Sequence, residues 1–494
     1  MNPHKYILEI TVFACGAIVM IFELVGSRVL GPYFGTSLFV WTSLIGIILG
    51  SLSIGYYWGG KIADRKASFS RLSLIIFLAA ILMIITTLSK DSILYFFSKY
   101  FVPDSGLILV SLILFSPISI LLGMVSPYAV KLKLNNLDTS GSTIGNLSAI
   151  STLGSIIGTF LSGFYLIPKF GTNKLLIILS ALLILVSILV FSKRLLKIKL
   201  SALVISIFIL ISIGSFNYAF GKDNFLDVDT AYNRIWIYDR IDKDTNKPVK
   251  TMGINNENHS SMFLDSDELV NEYTKYYHLA KHFNPDFEKA LIFGGAGYSF
   301  PKDFLLKYPL ATIDVVEIDP KVTDLAKKYF NLKENPRLSI YHEDGRVFLN
   351  ETQEKYDVIF GDAFSSRYSI PYQLTTKEVV QKKFDILNND GVVVLNIIST
   401  IDGEKGKFLR AEYATYKSVF PQVYLFPVTV KNNGFYIQNI ILVALKSEEK
   451  PAFMSEDLQL NEYLKHLWTR EIKMDVPVLT DDYAPVDYYI YKVL

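Results

Sequence analysis

The sequence predicts an α-helical membrane bundle of about seven spans, followed by a small β-hairpin region and a doubly wound, Rossmann-like α/β sheet. Three observations predict it. Charge is divided unevenly along the 494 residues: residues 1–220 hold 16 Lys/Arg and 6 Asp/Glu, and the remainder holds 33 and 41. Apolar runs near the length of a bilayer crossing recur through the first part. Short apolar strands then alternate with helical patterns, several ending in a glycine or an acid. The whole-chain net charge of +2 thus conceals one part at +10 and another at −8. Neither a purely soluble enzyme nor a protein lying wholly in lipid fits that division. Three regions follow: 1–220 a multi-span membrane domain, 221–265 a small β subdomain, and 266–494 a Rossmann-like catalytic domain.

The spans are read at Tyr6–Phe22, Leu38–Gly60, Leu72–Ser89, Leu107–Val130, Ile144–Ile167, Leu175–Ser192 and Leu200–Phe216. Ser92–Phe101 is too short to cross and is expected at the interface. Counting Lys5, one set of connections holds 11 basic residues and the other 5. The N-terminus is therefore expected in the cytoplasm. Seven crossings would put residues 221–494 on the far side, which conflicts with chemistry that needs a cytosolic metabolite. Glu23 and Arg28, ending the first span, read either as an interfacial ion pair or as a polar site facing the bundle. Gly154 and Gly158, four apart, allow close helix approach. Gly55–Arg65 resembles the cytoplasmic loop between spans two and three of major-facilitator transporters. The single cysteine, Cys15, leaves no disulfide framework and no cysteine zinc site. With six histidines, no structural zinc centre is expected. No long basic cluster points to nucleic acid.

In the second part, Tyr232–Leu264 reads as short strands, and Asp267–His282 as a helix carrying Leu269, Tyr273, Tyr276, Tyr277 and Ala280 near a 3.6 period. The α/β pattern begins at the strand Ala290–Phe293, which runs into Gly294-Gly295-Ala296-Gly297. Further strands are Thr312–Glu317, Arg337–His342, Tyr356–Phe360, Val392–Asn396, Gln422–Phe426 and Tyr436–Leu445. Asp319-Pro320 starts a helix. Asn389-Asp390-Gly391 reads as a turn.

The chemistry sits at the carboxyl ends of these strands, where doubly wound sheets bind ligands. Gly294–Gly297 lets backbone approach a ligand. Glu317, ending the second strand, is placed to accept the hydroxyls of a ribose. Asp344-Gly345, after the third, can read an adenine edge. Asp362 ends the fourth. Each acid alone also reads as a cap, turn or loop residue. Four such features after four consecutive strands point to an adenosyl-ligand site in a methyltransferase-type sheet.

From about residue 225 to 400 these motifs resemble the spermidine synthase (polyamine aminopropyltransferase) family. The residues are Leu291–Gly297, Val315–Val322, Glu343–Leu349, Tyr356–Phe364 and Ser369–Thr376. The whole chain looks like membrane-fused members with a transporter-like N-terminal part, and Leu479–Val486 is similar to that subgroup. The resemblance implies that decarboxylated S-adenosylmethionine is a co-substrate, with no tightly bound cofactor and no metal. Glu317 would hold its ribose, Asp344 and Gly345 its adenine, and Pro371 would line the same pocket with Gly294 and Gly295. Asp362 would be the general base. The family's glutamine near the start of the domain corresponds to Asn233.

Departures fall on the amine side. The family's acid in the glycine loop is Gly297 here, and the second acid of the active loop is Ser365. The usual Tyr-His-Glu is absent; Asn271-Glu272-Tyr273 follows instead. Glu272, His278, Gly297, Ser365 and Asp482 are the candidate amine contacts, with Asp481 and Asp487 as further acids or simply surface residues.

Three functions follow. One is aminopropyl transfer to putrescine or a related amine. Another is methyl or aminopropyl transfer to a different, membrane-borne acceptor. The third is a non-enzymatic transporter or sensor binding a nucleoside or polyamine. A sulfonium donor needs no metal, only in-line positioning and removal of a proton from the amine. The acidic second part would attract such cations. Expected partners are a small amine and the lipid bilayer, with no nucleic acid; a homodimer is implied only by the resemblance. The expected location is the cell membrane, with the catalytic domain in the cytoplasm.

Overall fold

The computed structural model describes residues 6–134, 136–190, 196–219, 225–255, 257–362 and 370–491. The chain divides into two compact units, residues 1–223 with 229–231, and residues 224–228 with 232–494.

The first unit is helical: α1 (Ile7–Phe34), α2 (Leu38–Lys66), α3 (Phe69–Tyr100), α4 (Pro103–Gly123), α5 (Val125–Lys133), α6 (Ser140–Leu161), α7 (Ile167–Val190) and α8 (Leu196–Ala219). Five helical stretches among the described residues are long and apolar enough to cross a membrane: Ile7–Phe34, Leu38–Lys66, Phe69–Tyr100, Pro103–Lys133 and Ser140–Val190. That is fewer than the seven expected. The fifth and sixth expected spans fall in one stretch of 51 residues, interrupted where Gly171 leaves helical geometry at φ 68°. Ser92–Phe101 is not a separate interfacial piece. It continues α3, which runs 32 residues.

The glycines act in packing. A Cβ on Gly158 would come within 2.5 Å of the Ala17 carbonyl, and one on Gly59 within 2.7 Å of Met124 Cα. These positions let α6 lie against α1 and α2 against the α4–α5 junction. Arg28 Nη2 donates to the Thr230 carbonyl at 2.8 Å. Acids of the helical unit form ion pairs, Glu9 with Lys133 at 2.5 Å and Asp91 with Lys90 at 2.9 Å.

The second unit opens with a four-stranded sheet of β1 (Phe225–Asp229), β2 (Arg234–Ile241), β3 (Pro248–Ile254) and β4 (Glu257–Phe263), paired in chain order. The expected helix Asp267–His282 begins later and is broken into α9 (Glu272–Lys275), a tight turn at Tyr276–His278, and α10 (Leu279–Phe283). Leu269, expected inside it, bridges to Met262 instead.

A seven-stranded sheet follows: β5 (Lys289–Phe293), β6 (Thr312–Val316), β7 (Leu338–Tyr341), β8 (Tyr356–Gly361), β9 (Leu387–Ser399), β10 (Gln422–Pro427) and β11 (Gln438–Leu445). Its order is β10-β11-β9-β8-β5-β6-β7. Pairs β9–β8, β8–β5, β5–β6 and β6–β7 are parallel; β11 runs antiparallel to both β9 and β10. Between them run α11 (Ser299–Lys307), α12 (Pro320–Tyr329), α13 (Gly345–Glu351), α14 (Lys377–Ile386) and α15 (Lys407–Lys417). After them come α16 (Leu458–Leu464) and α17 (Val486–Tyr491). Strand order reverses direction at β5, so the crevice for a ligand opens beyond the carboxyl ends of β5 and β8. The expected turn at Asn389–Gly391 is a bulge inside a long β9: Tyr356 faces Leu387, yet Val358 already faces Val392.

The sheet is buried on both faces, which is why its strands read as continuous apolar runs. One core holds Ala290, Ile292, Val358, Phe360, Val392 and Val394; the other holds Leu291, Phe293, Ile359 and Val393.

Candidate active site

Four strand ends build the site. β5 ends at Phe293, and Gly294 turns the chain at φ 96° while its N–H bonds the Val316 carbonyl at 2.9 Å. Ala296 at φ 43° and Tyr298 at φ 54° also take left-handed backbone, uncommon for residues with a Cβ. The loop therefore holds a strained shape of the kind found at ligand sites.

Glu317, just past β6, fixes that loop. Its Oε2 accepts from the Gly295 N–H at 2.9 Å and the Ala296 N–H at 3.4 Å, and its Oε1 from the Asp319 N–H at 3.0 Å. Burial pushes its carboxyl up, and those three N–H groups oppose the shift. A carboxylate has about four acceptor sites. Three are engaged, and the 3.4 Å contact is the weakest of them.

Asp344 caps α13, its Oδ1 accepting from Arg346 N–H at 2.7 Å and Val347 N–H at 3.3 Å. Gly345 opens that helix, and a Cβ there would lie 3.0 Å from Phe293 Cδ1. Pro371 precedes the tight turn Tyr372–Leu374, and its carbonyl accepts from Leu374 N–H at 2.9 Å.

Asp362 follows β8. Its N–H bonds the Phe293 carbonyl at 3.1 Å, which places it beside the glycine loop. Oδ2 accepts from the Tyr273 hydroxyl at 3.2 Å and Oδ1 from Asn396 Nδ2 at 3.1 Å. Burial pushes the carboxyl up to about 6. Hydrogen bonds from Asn396 and Tyr273, with the Tyr277 hydroxyl and His259 nearby, hold it from rising further. Burial and the Asp362 charge raise the Tyr273 and Tyr277 hydroxyls, so both stay protonated; Tyr273 donates, and the Tyr277 hydroxyl has no hydrogen-bond partner among the described residues. Tyr277 stacks on Phe360 at 5.6 Å.

The structure thus brings Gly294, Gly295, Glu317 and Asp362 to one crevice, with Asp344, Gly345 and Pro371 at the neighbouring strand ends. The expected amine contacts fare differently. His278 packs behind α11 instead, with Nε2 at 2.8 Å from Asp303 Oδ2 and Nδ1 at 2.7 Å from the Tyr308 hydroxyl. The break between α9 and α10 turns it into the core and leaves Tyr273 and Tyr277 facing Asp362. Glu272 is exposed and pairs with Lys275 at 2.7 Å. Asp482 lies exposed in the turn between Thr480 and Tyr483, while its neighbour Asp481 ties to Arg346 at 2.7 Å. Asn233 precedes β2 and accepts from Asn255 Nδ2 at 2.8 Å. Gly297 is walled in: a Cβ there would meet Ser260 Oγ at 2.7 Å and Phe330 Cδ1 at 2.9 Å. Ser365 lies outside the described residues.

Tyr273, Tyr277, His259 and Asn396 were not legible as site residues. The two tyrosines stand at helical spacing and read as an apolar stripe. Asn396 is a lone amide closing an apolar strand, the one local hint that its face turns to something polar.

Comparison with known proteins identifies the family of the second unit. Residues 272–456 match the family model described as the spermine/spermidine synthase domain. A polyamine aminopropyltransferase of Vibrio vulnificus (strain CMCP6) is 32% identical over 219 residues, covering 42% of this chain and 71% of that protein. The chain belongs to the polyamine aminopropyltransferase family. A probable polyamine aminopropyl transferase of Bifidobacterium longum (strain NCC 2705) is 33% identical over 221 residues, with the chain spanning about half, 48%, of its length. Polyamine aminopropyltransferase 2 of Aquifex aeolicus (strain VF5) is 25% identical over 452 residues, covering 88% of this chain and 84% of that protein. The last aminopropyltransferase match is longer than the whole second unit, so it extends into the helical part.

Proposed function

We propose that the second unit transfers an aminopropyl group from decarboxylated S-adenosylmethionine to putrescine or a related amine, giving spermidine and methylthioadenosine. The observation that carries the reading is Asp362, a carboxylate held by Tyr273 and Asn396 beside a glycine loop pinned by Glu317. Glu317 accepts the ribose hydroxyls as the Ala296 contact gives way. The Asp344 carboxylate and the Gly345 N–H face the adenine. The amine enters protonated and is not yet a nucleophile. Asp362 takes its proton, the nitrogen attacks the carbon next to the sulfonium, and the C–S pair leaves as a neutral thioether. A carboxyl titrating near 6 is charged at neutral pH yet a stronger base than an exposed aspartate.

The packing around Gly297 favours a second reading. With that position closed by Ser260 and Phe330, the distal end of a diamine lacks the family's acid there. A monoamine or a membrane-borne amine would not need it.

We place the first unit in the cell membrane. Ser140–Val190, broken at Gly171, is long enough for two crossings, which makes six with the four preceding helices. If α8 lies along the interface, the catalytic unit returns to the cytoplasmic side, where the donor is made. A topology reporter fused at Leu494 tests this, and an extracellular signal would sink it.

Incubating the purified protein with donor and putrescine tests the chemistry. Methylthioadenosine and spermidine should appear in equal amounts. S-adenosylhomocysteine formed from S-adenosylmethionine would instead identify methyl transfer.

A further inference from the structure

The opposite face of the sheet carries a polar feature that the transfer does not use. Asn396 turns to Asp362, so Leu395 and Ile397 point the other way. There they line a cavity of about 30 Å³, together with Lys383 of α14 and Glu412 of α15. Both charged side chains are almost wholly buried, at 3% and 2% exposure. Lys383 Nζ donates to the Tyr416 hydroxyl at 2.8 Å. Glu412 Oε1 has no hydrogen-bond partner among the described residues, and no ion pair joins it to Lys383. Two buried opposite charges that border one cavity without touching are costly unless something bridges them. The space suits one or two waters, each able to accept from Lys383 and donate to Glu412.

The cavity lies beneath the site. Phe293 and Gly361 line it, and the residues that follow them are Gly294 and Asp362. Leu374 lines it too, and a Cβ added to Gly345 would meet both Phe293 and Leu374. Its shape therefore bears on three strand ends that would hold the nucleoside.

We propose that Lys383, Glu412 and Tyr416 hold an enclosed water as one hydrogen-bonded unit, and that this unit positions the floor of the nucleoside site. The inference rests on the nucleoside reading above. Burial pushes the Lys383 ammonium down and the Glu412 carboxyl up, so the two titrate toward each other and share a proton. Tyr416 is pushed well up and stays neutral. The residues facing the pair from β5, β8, β9 and the segment 370–375 are Phe293, Gly361, Leu395, Ile397, Leu374 and their apolar or hydroxyl neighbours, none of which titrates. As pH rises and the shared proton leaves, the pocket gains a net negative charge, draws in water and shifts its walls.

The test is methylthioadenosine binding to the full chain by calorimetry between about pH 7 and 9.5, above the titration of Asp362. Wild-type affinity should fall about fivefold across that range. The double variant K383M/E412L, which replaces both charges with apolar atoms of similar size, should bind with no such fall. Glu412→Gln keeps the shape, so it serves if the double variant does not fold. Without the carboxylate the pocket ends neutral when Lys383 loses its proton, so the fall should be absent. Profiles identical to wild type in these variants would overturn the inference. Absence of binding by wild type at every pH would instead overturn the nucleoside reading, and this inference with it.

Discussion

Asn396 Nδ2 donates to Asp362 Oδ1 at 3.1 Å, while its own Oδ1 accepts from Asn439 Nδ2 at 2.9 Å. The carboxylate beyond β8 is thus aimed by an amide on β9, itself held from β11. Neither amide titrates, so the relay orients the carboxylate without competing for its proton.

That arrangement sets a pH profile. As the proposed base Asp362 must be charged, and burial has raised it to about 6. The value of kcat/KM should therefore fall about tenfold per pH unit below 6. Asp362→Asn should lose about 10²–10⁴ in kcat. Stability should move oppositely. A folded pKa above the unfolded value means that the folded state gains stability at acid pH and loses it as pH rises through 6. Asp362→Asn removes that loss and should stabilise the protein by about 1–3 kcal/mol at pH 7.5, with little gain near pH 4, in paired melting curves. A melting temperature lowered at pH 7.5 would contradict this.

Glu317→Gln tests the loop anchor. The amide keeps one acceptor but turns an NH2 toward N–H groups that now face a carboxylate. We expect methylthioadenosine affinity to drop about 10–100-fold and stability by about 1–3 kcal/mol. Unchanged affinity by calorimetry would remove Glu317 from the ribose site.

Gly297→Asp, which restores the acid usual in this family, should not restore diamine binding by itself. Its Cβ collides with Ser260 and Phe330, so a loss of about 1–3 kcal/mol is expected. The double variant Gly297→Asp, Ser260→Gly relieves the nearer contact and should melt closer to wild type. If the single variant proves as stable as wild type, the loop is looser than its packing implies.

In the first unit, Gly158→Leu should break the approach of α6 to α1. The built Cβ already lies 2.5 Å from the Ala17 carbonyl, and the helices must separate to admit more. A loss of several degrees in melting temperature in detergent is expected, against no change for Gly163→Leu, whose Cβ meets nothing.

Much of the fold was legible because its signals are local. Apolar length marks helices that can cross a membrane, though not how many do. The break at Gly171 falls in the connection between the fifth and sixth expected spans, although the helical stretch around it runs 51 residues. Period-free apolar runs marked the buried strands. Glycine and acids at strand ends marked the crevice, since a parallel sheet sends every such end to the same side. The helix at Asp267–His282 was misplaced because its apolar period continues through a tight turn that periodicity does not see.

The sequence by itself determined the two-part chain, the strand order along it and the strand-end residues Gly294, Glu317, Asp344 and Asp362, all set by position relative to a strand. The tertiary structure decided what surrounds Asp362. Tyr273 reaches Asp362 across 89 positions and Asn396 across 34, while His278, five residues past Tyr273, turns away to Asp303. Gly297, an apparent gap for a ligand, is filled by Ser260 from another sheet. Strand ends are fixed by hydrogen bonding that short segments encode. Which side chains converge there depends on packing between segments far apart, and no local pattern carries that information.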